Sequence, residues 1–443
     1  MASFCSQKKV FLLYKKTIKS MRVLLVNTSE RTGGAAVAAG RLMEALRKQG
    51  IDVQMVVRDR ESAAPGVVAV GNRCLMRWRF LWERIVVWVA NRLRRNQLFA
   101  VDAAYAGTDI THTEAFEQAD IVHLHWVNQG FLSLGDIRRI LDSGKPVVWT
   151  LHDLWPCTGI CHYPGECSRF RSRCHNCPLL WNGGSRHDLS WRTFRRKERT
   201  YRGRTLHLVA CSRWLGEMAR SSALCRDMPV TSIPNPIDIS LFAPADKIEA
   251  RRRCGFPLDK KLLLFGSVKV SDKRKGFDYL AESLHIILEK NPHLKETLAV
   301  VVMGRCTREL EEKLPVRVYS TGYIEEAARM AEIYNAVDLF VIPSLEDNLP
   351  NTVMEAMACG TPCVGFDTGG IPEMIDHGRD GYVARHKSAE DFARGIIALL
   401  QEADYPAYAL AAREKVVTTY APDVVAARYI ALYREEMEKC KNR

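Results

Sequence analysis

Two carboxylates flank the start of one short predicted helix that Pro350 can begin and Gly360 can end. Asp347 follows the apolar run Leu339–Ile342, which predicts a buried strand, and Glu355 lies one to two turns into the helix. A helix N-terminus offers free backbone N–H groups and a partial positive charge that suit a diphosphate, whereas carboxylates suit sugar and ribose hydroxyls. The segment therefore predicts a site for a nucleotide sugar. The alternative is an ordinary amphipathic helix with solvated acids.

A basic turn follows a second predicted strand, Leu262–Phe265. The turn carries Lys269, Arg274 and Lys275, the last directly before a glycine. Guanidinium and ammonium groups neutralise phosphates and hydrogen-bond to them. The turn therefore predicts a diphosphate contact, with a solvated basic loop as the alternative.

Small and polar residues also follow predicted strands in the first half of the chain. Gly33 and Gly34 come after the first strand and open a helix, where they allow close approach of a phosphate or form a tight turn. His152 lies at the carboxyl end of another strand, where it could hydrogen-bond a sugar hydroxyl or an acceptor, or serve as a structural histidine. His123 and His125 alternate along a strand and are weaker candidates.

Four cysteines fall within one polar loop, at Cys161, Cys167, Cys174 and Cys177, with Cys157 nearby. The last two of the four form a Cys-x-x-Cys pair, whose spacing lets two thiolates bind one tetrahedral ion. In a cytosolic chain this pattern favours structural zinc over disulfides. Disulfides or free thiols are the alternatives.

The segment 73–95 mixes arginines with tryptophans. Trp78, Trp82, Ile85 and Val89 share one face of a predicted helix, and basic charge beside aromatic residues suits an anionic membrane surface. A helix packed on the sheet with solvated arginines is the alternative. The net charge of +13 also attracts nucleic acid, but no nucleic-acid recognition motif accompanies it.

The chain has 443 residues, enough for two domains, with 47% hydrophobic and 26% charged residues, as in soluble globular proteins. No apolar run reaches the roughly eighteen residues that a membrane span needs. Residues 1–20 interleave lysines with a short apolar core and have no small-residue cleavage site. We expect a cytoplasmic protein in which residues 1–20 are a dispensable extension, with a mis-assigned start before Met21 as the alternative.

Ten apolar runs alternate with helical patterns and predict parallel α/β sheets in both halves of the chain. The first five are Val23–Val26, Val53–Val57, Ile121–Leu124, Val147–Thr150 and Leu206–Ala210, and the second five are Leu262–Phe265, Leu298–Met303, Val316–Tyr319, Leu339–Ile342 and Cys363–Phe366.

At the acidic helix the sequence resembles the retaining, two-Rossmann-domain (GT-B) glycosyltransferases of family 4. Their donor motif has two acids, separated by seven residues, of which the second begins an E-A-M-A-x-G-x-P run, and residues 355–362 match that run. Asp347 stands eight positions before Glu355, where the family more often has Glu, and Glu346 is adjacent. The first acid is therefore a departure from the family pattern.

Other segments carry the resemblance further. Thr32-Gly33-Gly34-Ala35 matches the family's glycine loop, and Lys275-Gly276 matches its donor-phosphate lysine. Ser267 stands where members often have Arg, and Pro236 replaces the glycine of a P-N-G-[IV]-D linker. The H-D-x-W-x-x-T-G-x-C sequence from His152 is similar to an insertion in a bacterial polysaccharide-assembling branch.

The resemblance implies an α/β fold of two Rossmann-like domains facing across a cleft. On this basis the N-terminal acceptor domain spans residues 21–235, with a Cys-rich insertion at 152–180. The C-terminal donor-binding domain spans residues 236–418. Residues 419–443 form a helix that crosses back to the first domain.

The resemblance also implies a metal-independent, retaining hexosyltransferase acting in surface polysaccharide biosynthesis. It would need no cofactor for catalysis and would move a hexose from a nucleoside-diphosphate sugar to a saccharide or lipid-linked saccharide acceptor, releasing the nucleoside diphosphate at the inner face of the cell membrane. A GT-B nucleotide-sugar epimerase and a non-catalytic zinc- and polyanion-binding protein are the alternatives. The implied catalytic residues are Asp347, His152 and Lys275, and the implied donor-binding residues are Gly33, Gly34, Arg274, Lys275, Asp347, Asn348, Leu349 and Glu355.

Overall fold

A computed structural model describes residues 21–95, 97–402 and 404–442. The chain forms two compact units, of which the first runs up to Pro236 and resumes at Val425, and the second is Ile237–Val424. The predicted extension at residues 1–20 lies outside the described residues. Within the described part of the chain, no helix has the length and apolar character needed to cross a membrane.

The first unit is built on a seven-stranded parallel sheet with the order β3-β2-β1-β4-β5-β6-β7. The order reverses between β1 and β4, which in parallel sheets places the ligand crevice at the carboxyl ends of those strands. The strands are β1 (Arg22–Ser29), β2 (Asp52–Asp59), β3 (Val67–Ala69), β4 (Ile121–Leu124), β5 (Val147–Leu151), β6 (His207–Ala210) and β7 (Val230–Ser232).

Both faces of this sheet are buried. Along β1, Val23 and Leu25 pack into one core cluster, and Leu24 and Val26 pack into another on the opposite face. This is why the strands are continuous apolar runs without polar alternation. The helices are α1 (Gly34–Lys48), α2 (Arg73–Ala90), α3 (Glu114–Gln118), α4 (Leu134–Asp142), α5 (Leu189–Tyr201), α6 (Arg213–Ser221) and the C-terminal α15 (Pro422–Lys441), with short 3-10 turns at Trp155–Cys157, Arg169–Arg171 and Trp181–Gly183.

The second unit has a six-stranded parallel sheet with the order β10-β9-β8-β11-β12-β13. Its strands are β8 (Lys261–Lys269), β9 (Leu298–Arg305), β10 (Arg317–Gly322), β11 (Leu339–Ile342), β12 (Cys363–Phe366) and β13 (Gly381–Ala384). Its helices are α7 (Lys247–Cys254), α8 (Phe277–Lys290), α9 (Arg308–Glu311), α10 (Ala327–Ala336), α11 (Asn351–Ala358), α12 (Ile371–Met374), α13 (Ala389–Ile397) and α14 (Tyr405–Thr419), with 3-10 turns at Lys273–Lys275 and Pro292–Lys295 and a π-helical turn at Ala398–Glu402.

The predicted α/β class with two Rossmann-like sheets is confirmed. All ten predicted strands are present, and β4, β11 and β12 have the predicted bounds. Three strands were not predicted, namely β3, β7 and β13, which have only three or four residues each. Pro350 is the residue before α11 and not part of its first turn as predicted.

The C-terminal helix α15 belongs to the first unit and contacts the sheet through buried polar groups. The hydroxyl of Tyr433 lies 2.6 Å from Nδ1 of His123 on β4. Further along the helix, Oε1 of Glu436 lies 2.9 Å from Nδ1 of His207 on β6 and accepts a hydrogen bond from Lys439. These bonds lower the pKa of Glu436 to about 2, with the His207 bond as the largest cause.

We predict that Glu436→Gln lowers the free energy of unfolding at neutral pH by about 1–3 kcal/mol, because it replaces a buried charged acceptor. A lowered carboxyl pKa stabilises the fold above the ordinary value of 4.5, and this stabilisation is lost as the pH falls toward about 2. The difference between wild type and variant should therefore shrink across that range. Urea unfolding of both proteins at neutral pH and at about pH 3 measures this difference in the free energy of unfolding. Glu438→Gln, at an exposed position of the same helix, is the control; equal effects of both variants would contradict the prediction.

Candidate functional site

A buried carboxylate between two cations lies in the loop that joins β11 to α11. Oδ2 of Asp347 accepts hydrogen bonds from Nζ of Lys275 at 2.6 Å and from Oγ of Ser344 at 3.3 Å. Nη1 of Arg274 lies 3.6 Å from the same oxygen and donates to the Glu346 carbonyl at 2.8 Å. The structure thus brings together the basic turn after β8 and the acidic loop after β11.

Asp347 is ionised at neutral pH. Burial alone would raise the pKa of this carboxyl, but the charges of Lys275 and Arg274 outweigh burial and lower it below the ordinary 3.8. Lys275 and Arg274 are each roughly a quarter exposed, so both cations remain accessible from solvent. An incoming anion could contact them without unfolding the loop.

Two glycine turns hold this loop from either side. A Cβ added at Gly276 would lie 1.7 Å from the carbonyl oxygen of Pro343, and one added at Gly369 would lie 1.7 Å from the carbonyl oxygen of Asp347. Both glycines have positive φ, 71° and 59°. The N–H of Gly370 donates to that same Asp347 carbonyl at 3.1 Å. The loop position therefore depends on backbone approaches that only glycine allows.

The N-terminus of α11 follows the loop directly. Pro350 precedes the helix and has no side-chain oxygen, so its side chain does not cap the first N–H groups. Asn348 and Leu349 are buried just before it. Glu355 is also buried, and its Oε2 accepts a hydrogen bond from the Tyr334 hydroxyl at 2.9 Å. The two acids of the segment thus have different surroundings, cations for Asp347 and a phenol on α10 for Glu355.

In the first unit, the loop between β1 and α1 is held by Glu61, which follows β2. Its carboxylate accepts from Oγ1 of Thr32 at 2.9 Å and from the backbone N–H groups of Arg31 and Thr32 at 3.2 Å each. Burial raises the pKa of Glu61, but the bonds from Ser29 and Thr32 outweigh it and lower the value. The loop ends at Gly33, which has a φ of 96° and precedes α1. The sequence analysis did not identify Glu61. It could have been found as an acidic residue just after the carboxyl end of a predicted strand.

His152 lies after β5 and pairs with another histidine. Its Nε2 is 3.0 Å from Nδ1 of His125, and the two rings stack at 5.3 Å. Burial lowers the pKa of His152 to about 4 and that of His125 well below its ordinary value, so both rings are neutral at pH 7. His123 is instead a structural residue, because both of its ring nitrogens are hydrogen-bonded, to Tyr433 and Thr150.

The neighbouring Asp153 organises the start of the Cys-rich loop, which sequence reasoning also missed. Its Oδ2 accepts from Nε1 of Trp126 and lies 2.8 Å from Nδ1 of His162, and its Oδ1 accepts from the Trp155 N–H, also at 2.8 Å. These bonds and the His162 charge overcome the effect of burial and lower the pKa of Asp153. The pairing of His162 with the H-D sequence was not visible in spacing alone.

The four cysteines predicted to bind zinc line one cavity of about 20 Å³, which also contacts His175. The N–H of Gly159 donates to the sulfur of Cys174 at 3.2 Å, and the N–H of Leu180 donates to the carbonyl oxygen of Cys177 at 3.0 Å. Across the described residues, however, no group of three or more His, Cys, Asp or Glu is arranged to hold a metal ion. The zinc site at Cys161, Cys167, Cys174 and Cys177 therefore stays a prediction.

A buried lysine on α5, Lys197, hydrogen-bonds to the backbone of the Cys-rich loop. Nζ of Lys197 donates to the carbonyls of Trp155 and Thr158, the latter at 3.1 Å, and lies 3.5 Å from the centre of the Trp155 indole. Burial lowers the pKa of Lys197 to about 7. Burial also raises the pKa of Cys174 to about 12 and that of Cys177 to about 11, so these thiols are protonated at neutral pH when no ion is bound.

The structure thus brings Arg274, Lys275 and Asp347 into direct contact and places Asn348, Leu349 and Glu355 on the same segment. Gly33, Gly34 and His152 lie in the first unit, after β1 and β5. The functional roles of all these residues stay predictions.

Two family profiles match most of the chain. The family described as Glycosyltransferase Family 4 matches residues 32–241, and the one described as Glycosyl transferases group 1 matches residues 259–402. The first match lies in the first unit apart from its last few residues, and the second lies within the second unit.

Curated relatives and solved structures agree with these matches. A D-inositol 3-phosphate glycosyltransferase of Thermobispora bispora is 27% identical over 221 residues, which cover 47% of this chain and 51% of that protein. The chain thus spans about half the length of the curated relatives it matches.

Among solved structures, a sucrose-phosphate synthase from Thermosynechococcus elongatus has a TM-score of 0.65 at 17% identity, over 94% of this chain and 98% of that one. The Anabaena protein HepE, solved with UDP and glucose, has a TM-score of 0.64 at 15% identity, over 94% and 100% of the two chains. Identities this low show a shared fold only.

We predict about one zinc ion per purified chain, because four cysteines line one small cavity, two of them in a Cys-x-x-Cys pair, and a zinc ion would bind them as thiolates. Cys174→Ser combined with Cys177→Ser should reduce the zinc content to background, as measured by mass spectrometry of acid-released metal. The control combines Cys254→Ser with Cys306→Ser, two partly buried thiols of the second unit. Wild-type protein without zinc, or zinc retained by the first double variant, would show the prediction to be wrong.

Proposed function

The chain belongs to the GT-B glycosyltransferases of the group 1 and family 4 type, and from this membership we propose that it moves a hexose from a nucleoside-diphosphate sugar to a saccharide or lipid-linked saccharide. The observation that carries the proposal is the contact of Lys275 and Arg274 with Asp347, beside the N-terminus of α11. Two accessible cations and a helix N-terminus suit a diphosphate, and a carboxylate suits a sugar.

The cations would act on the leaving group. When the bond from the sugar to the diphosphate breaks, negative charge grows on the phosphate oxygens. Lys275, Arg274 and the first N–H groups of α11 would stabilise that charge, since preorganised donors are most effective where charge develops. Lys275 now donates to Asp347, so in the complex it would bridge the carboxylate and a phosphate oxygen. The same positive charges would let the reaction proceed without a catalytic metal ion.

Asp347 and Glu355 would position the donor. The cations around Asp347 keep it ionised, and an ionised carboxylate accepts hydrogen bonds from sugar hydroxyls. Glu355 would hold the ribose with its carboxylate, which the Tyr334 hydroxyl already orients. Asn348 and Leu349 would contact the donor where the loop meets α11.

We assign the acceptor to the first unit. The loop ending in Gly33 and Gly34 and the neutral His152 both follow strands at the carboxyl edge of its sheet. A neutral imidazole can hydrogen-bond an acceptor hydroxyl without adding charge. The acceptor hydroxyl would attack from the face that the diphosphate leaves, so that retention of configuration needs no protein nucleophile.

A role in surface polysaccharide synthesis, at the cytoplasmic face of the membrane, extends this proposal. It is supported by the cysteine-containing insertion and by the exposed arginines of segment 73–95. The curated relative is named for D-inositol 3-phosphate, and one protein of the same fold is named for the synthesis of sucrose phosphate. A small phosphorylated acceptor is therefore an outcome that the assay must be able to detect.

We predict acceptor-dependent nucleotide release from one member of a panel of UDP-, GDP- and ADP-sugars, with membrane extract or soluble phosphorylated acceptors. Lys275→Gln and Asp347→Asn should each lower kcat/KM by about 100-fold or more, since each removes a group that stabilises the transition state. Lys273→Gln changes an exposed cation in the same turn and should leave the rate unchanged.

Three results would count against transfer. One is the absence of release with every donor. A second is release that needs no acceptor and is unaffected by Lys275→Gln. The third is interconversion of the nucleotide sugar, which would identify an epimerase.

A further inference from the structure

Helix α2 exposes its apolar face to solvent. Leu75, Trp78, Trp82, Ile85 and Val89 all project outward, and the side chains of Trp78 and Val89 are 68% and 57% exposed. At 100° per residue these positions form one stripe along the helix. A helix that served only as a cover for the sheet would turn this stripe inward.

The inward face of α2 carries two charged residues, Glu83 and Arg84, beside the apolar Met76 and Val87. Glu83 and Arg84 are buried, and Nη2 of Arg84 lies 2.7 Å from Oδ2 of Asp102. Oε1 of Glu83 accepts a hydrogen bond from the N–H of Ala106 at 2.6 Å. Rotating the helix to bury its apolar stripe would separate Arg84 from Asp102 and Glu83 from the Ala106 N–H, and it would leave buried polar groups without partners. The outward direction of the stripe is therefore built into the fold.

The apolar surface continues beyond the helix. Leu93 and Phe99 are exposed after it, and Trp181 in the Cys-rich loop is exposed beside the guanidinium groups of Arg92 and Arg94, at 5.1 and 6.0 Å from its ring. Within the described chain, eight of seventeen exposed large apolar side chains fall between residues 75 and 99. This concentration marks an interaction surface, because scattered exposed apolar residues need no explanation but contiguous ones do.

The exposed charged residues of this segment all have one sign. Segment 73–99 contains seven arginines and a single acid, Glu83, which is buried. Its exposed charged residues are Arg73, Arg77, Arg92, Arg94 and Arg95. We call the outward stripe of α2, together with these arginines, the basic apolar face.

We propose that the basic apolar face docks on an anionic lipid bilayer, with α2 lying in the plane of the interface. Its tryptophans and aliphatic side chains would enter the boundary between headgroups and acyl chains, and the arginines would contact lipid phosphates. The helix has 18 residues with five charges, which suits lying in the interface and not crossing the bilayer. A second copy of the chain is a poorer occupant, because a symmetric contact would bring the two sets of arginines together.

This proposal goes beyond glycosyl transfer and does not depend on it, because docking is measured without donor or acceptor. The test is co-sedimentation of the full chain with vesicles of phosphatidylcholine, with and without phosphatidylglycerol. We expect binding to the anionic vesicles that weakens as salt rises. Trp78→Ser combined with Trp82→Ser should weaken it by about tenfold or more.

Matched variants separate the parts of the surface. Leu258→Ser combined with Leu410→Ser removes two exposed apolar side chains of the second unit and should leave vesicle binding unchanged. Arg92→Gln combined with Arg94→Gln should reduce both the affinity and its salt dependence, whereas Arg308→Gln, at an exposed position elsewhere, should change neither. Circular dichroism and thermal unfolding check that each variant is folded, as expected for exposed positions.

Three outcomes would overturn the proposal. The first is no binding to anionic vesicles, or equal binding to vesicles of phosphatidylcholine alone. The second is unchanged binding by the double tryptophan variant. The third is a lipid-free dimer in sedimentation velocity that Trp78→Ser combined with Trp82→Ser converts to monomer, because a second copy would then cover the face.

Discussion

The contact of the Asp347 carboxylate with Lys275 and Arg274 is the interaction on which the second unit's site depends. A buried carboxylate is stable only when it is paired, and removing one partner of such a pair typically costs about 3–5 kcal/mol. The pair ties the turn after β8 to the loop after β11, and Gly276 and Gly369 leave the room that this contact needs. Cations, carboxylate and the start of α11 therefore form one rigid group, although they come from distant parts of the chain.

The first unit is organised by a different device, a set of buried polar groups that are hydrogen-bonded to each other. Thr150 contacts both His123 and Tyr429, and α15 adds the His207–Glu436 pair. Such a network favours a single arrangement, because any shift of α15 would leave a buried polar group without a partner. The network holds α15 against the middle strands of the sheet. Gly33 comes after one of these strands, β1, and His152 comes after another, β5.

Sequence was a good guide to the strands and a poorer guide to contacts. Apolar runs located β11 and β12 at their bounds, since buried parallel strands are continuous apolar segments. It could not show that Lys275 donates to an acid 72 residues away, or that Tyr334 orients Glu355. The short edge strands β3, β7 and β13 are only partly buried, so they lack the continuous apolar runs that mark the central strands. For α2, the apolar stripe was visible in the sequence, but its outward direction was not, because that direction depends on the contact of Arg84 with Asp102.

The most direct measurement is hydrogen–deuterium exchange of the intact chain with UDP, GDP and ADP, each added separately. We expect at least one of them to slow exchange in residues 272–277 and 344–355, and we expect Lys275→Gln, but not Lys273→Gln, to weaken this protection. If no nucleoside diphosphate protects these two segments, or if protection survives Lys275→Gln, then the pair of Lys275 and Asp347 does not form the donor site.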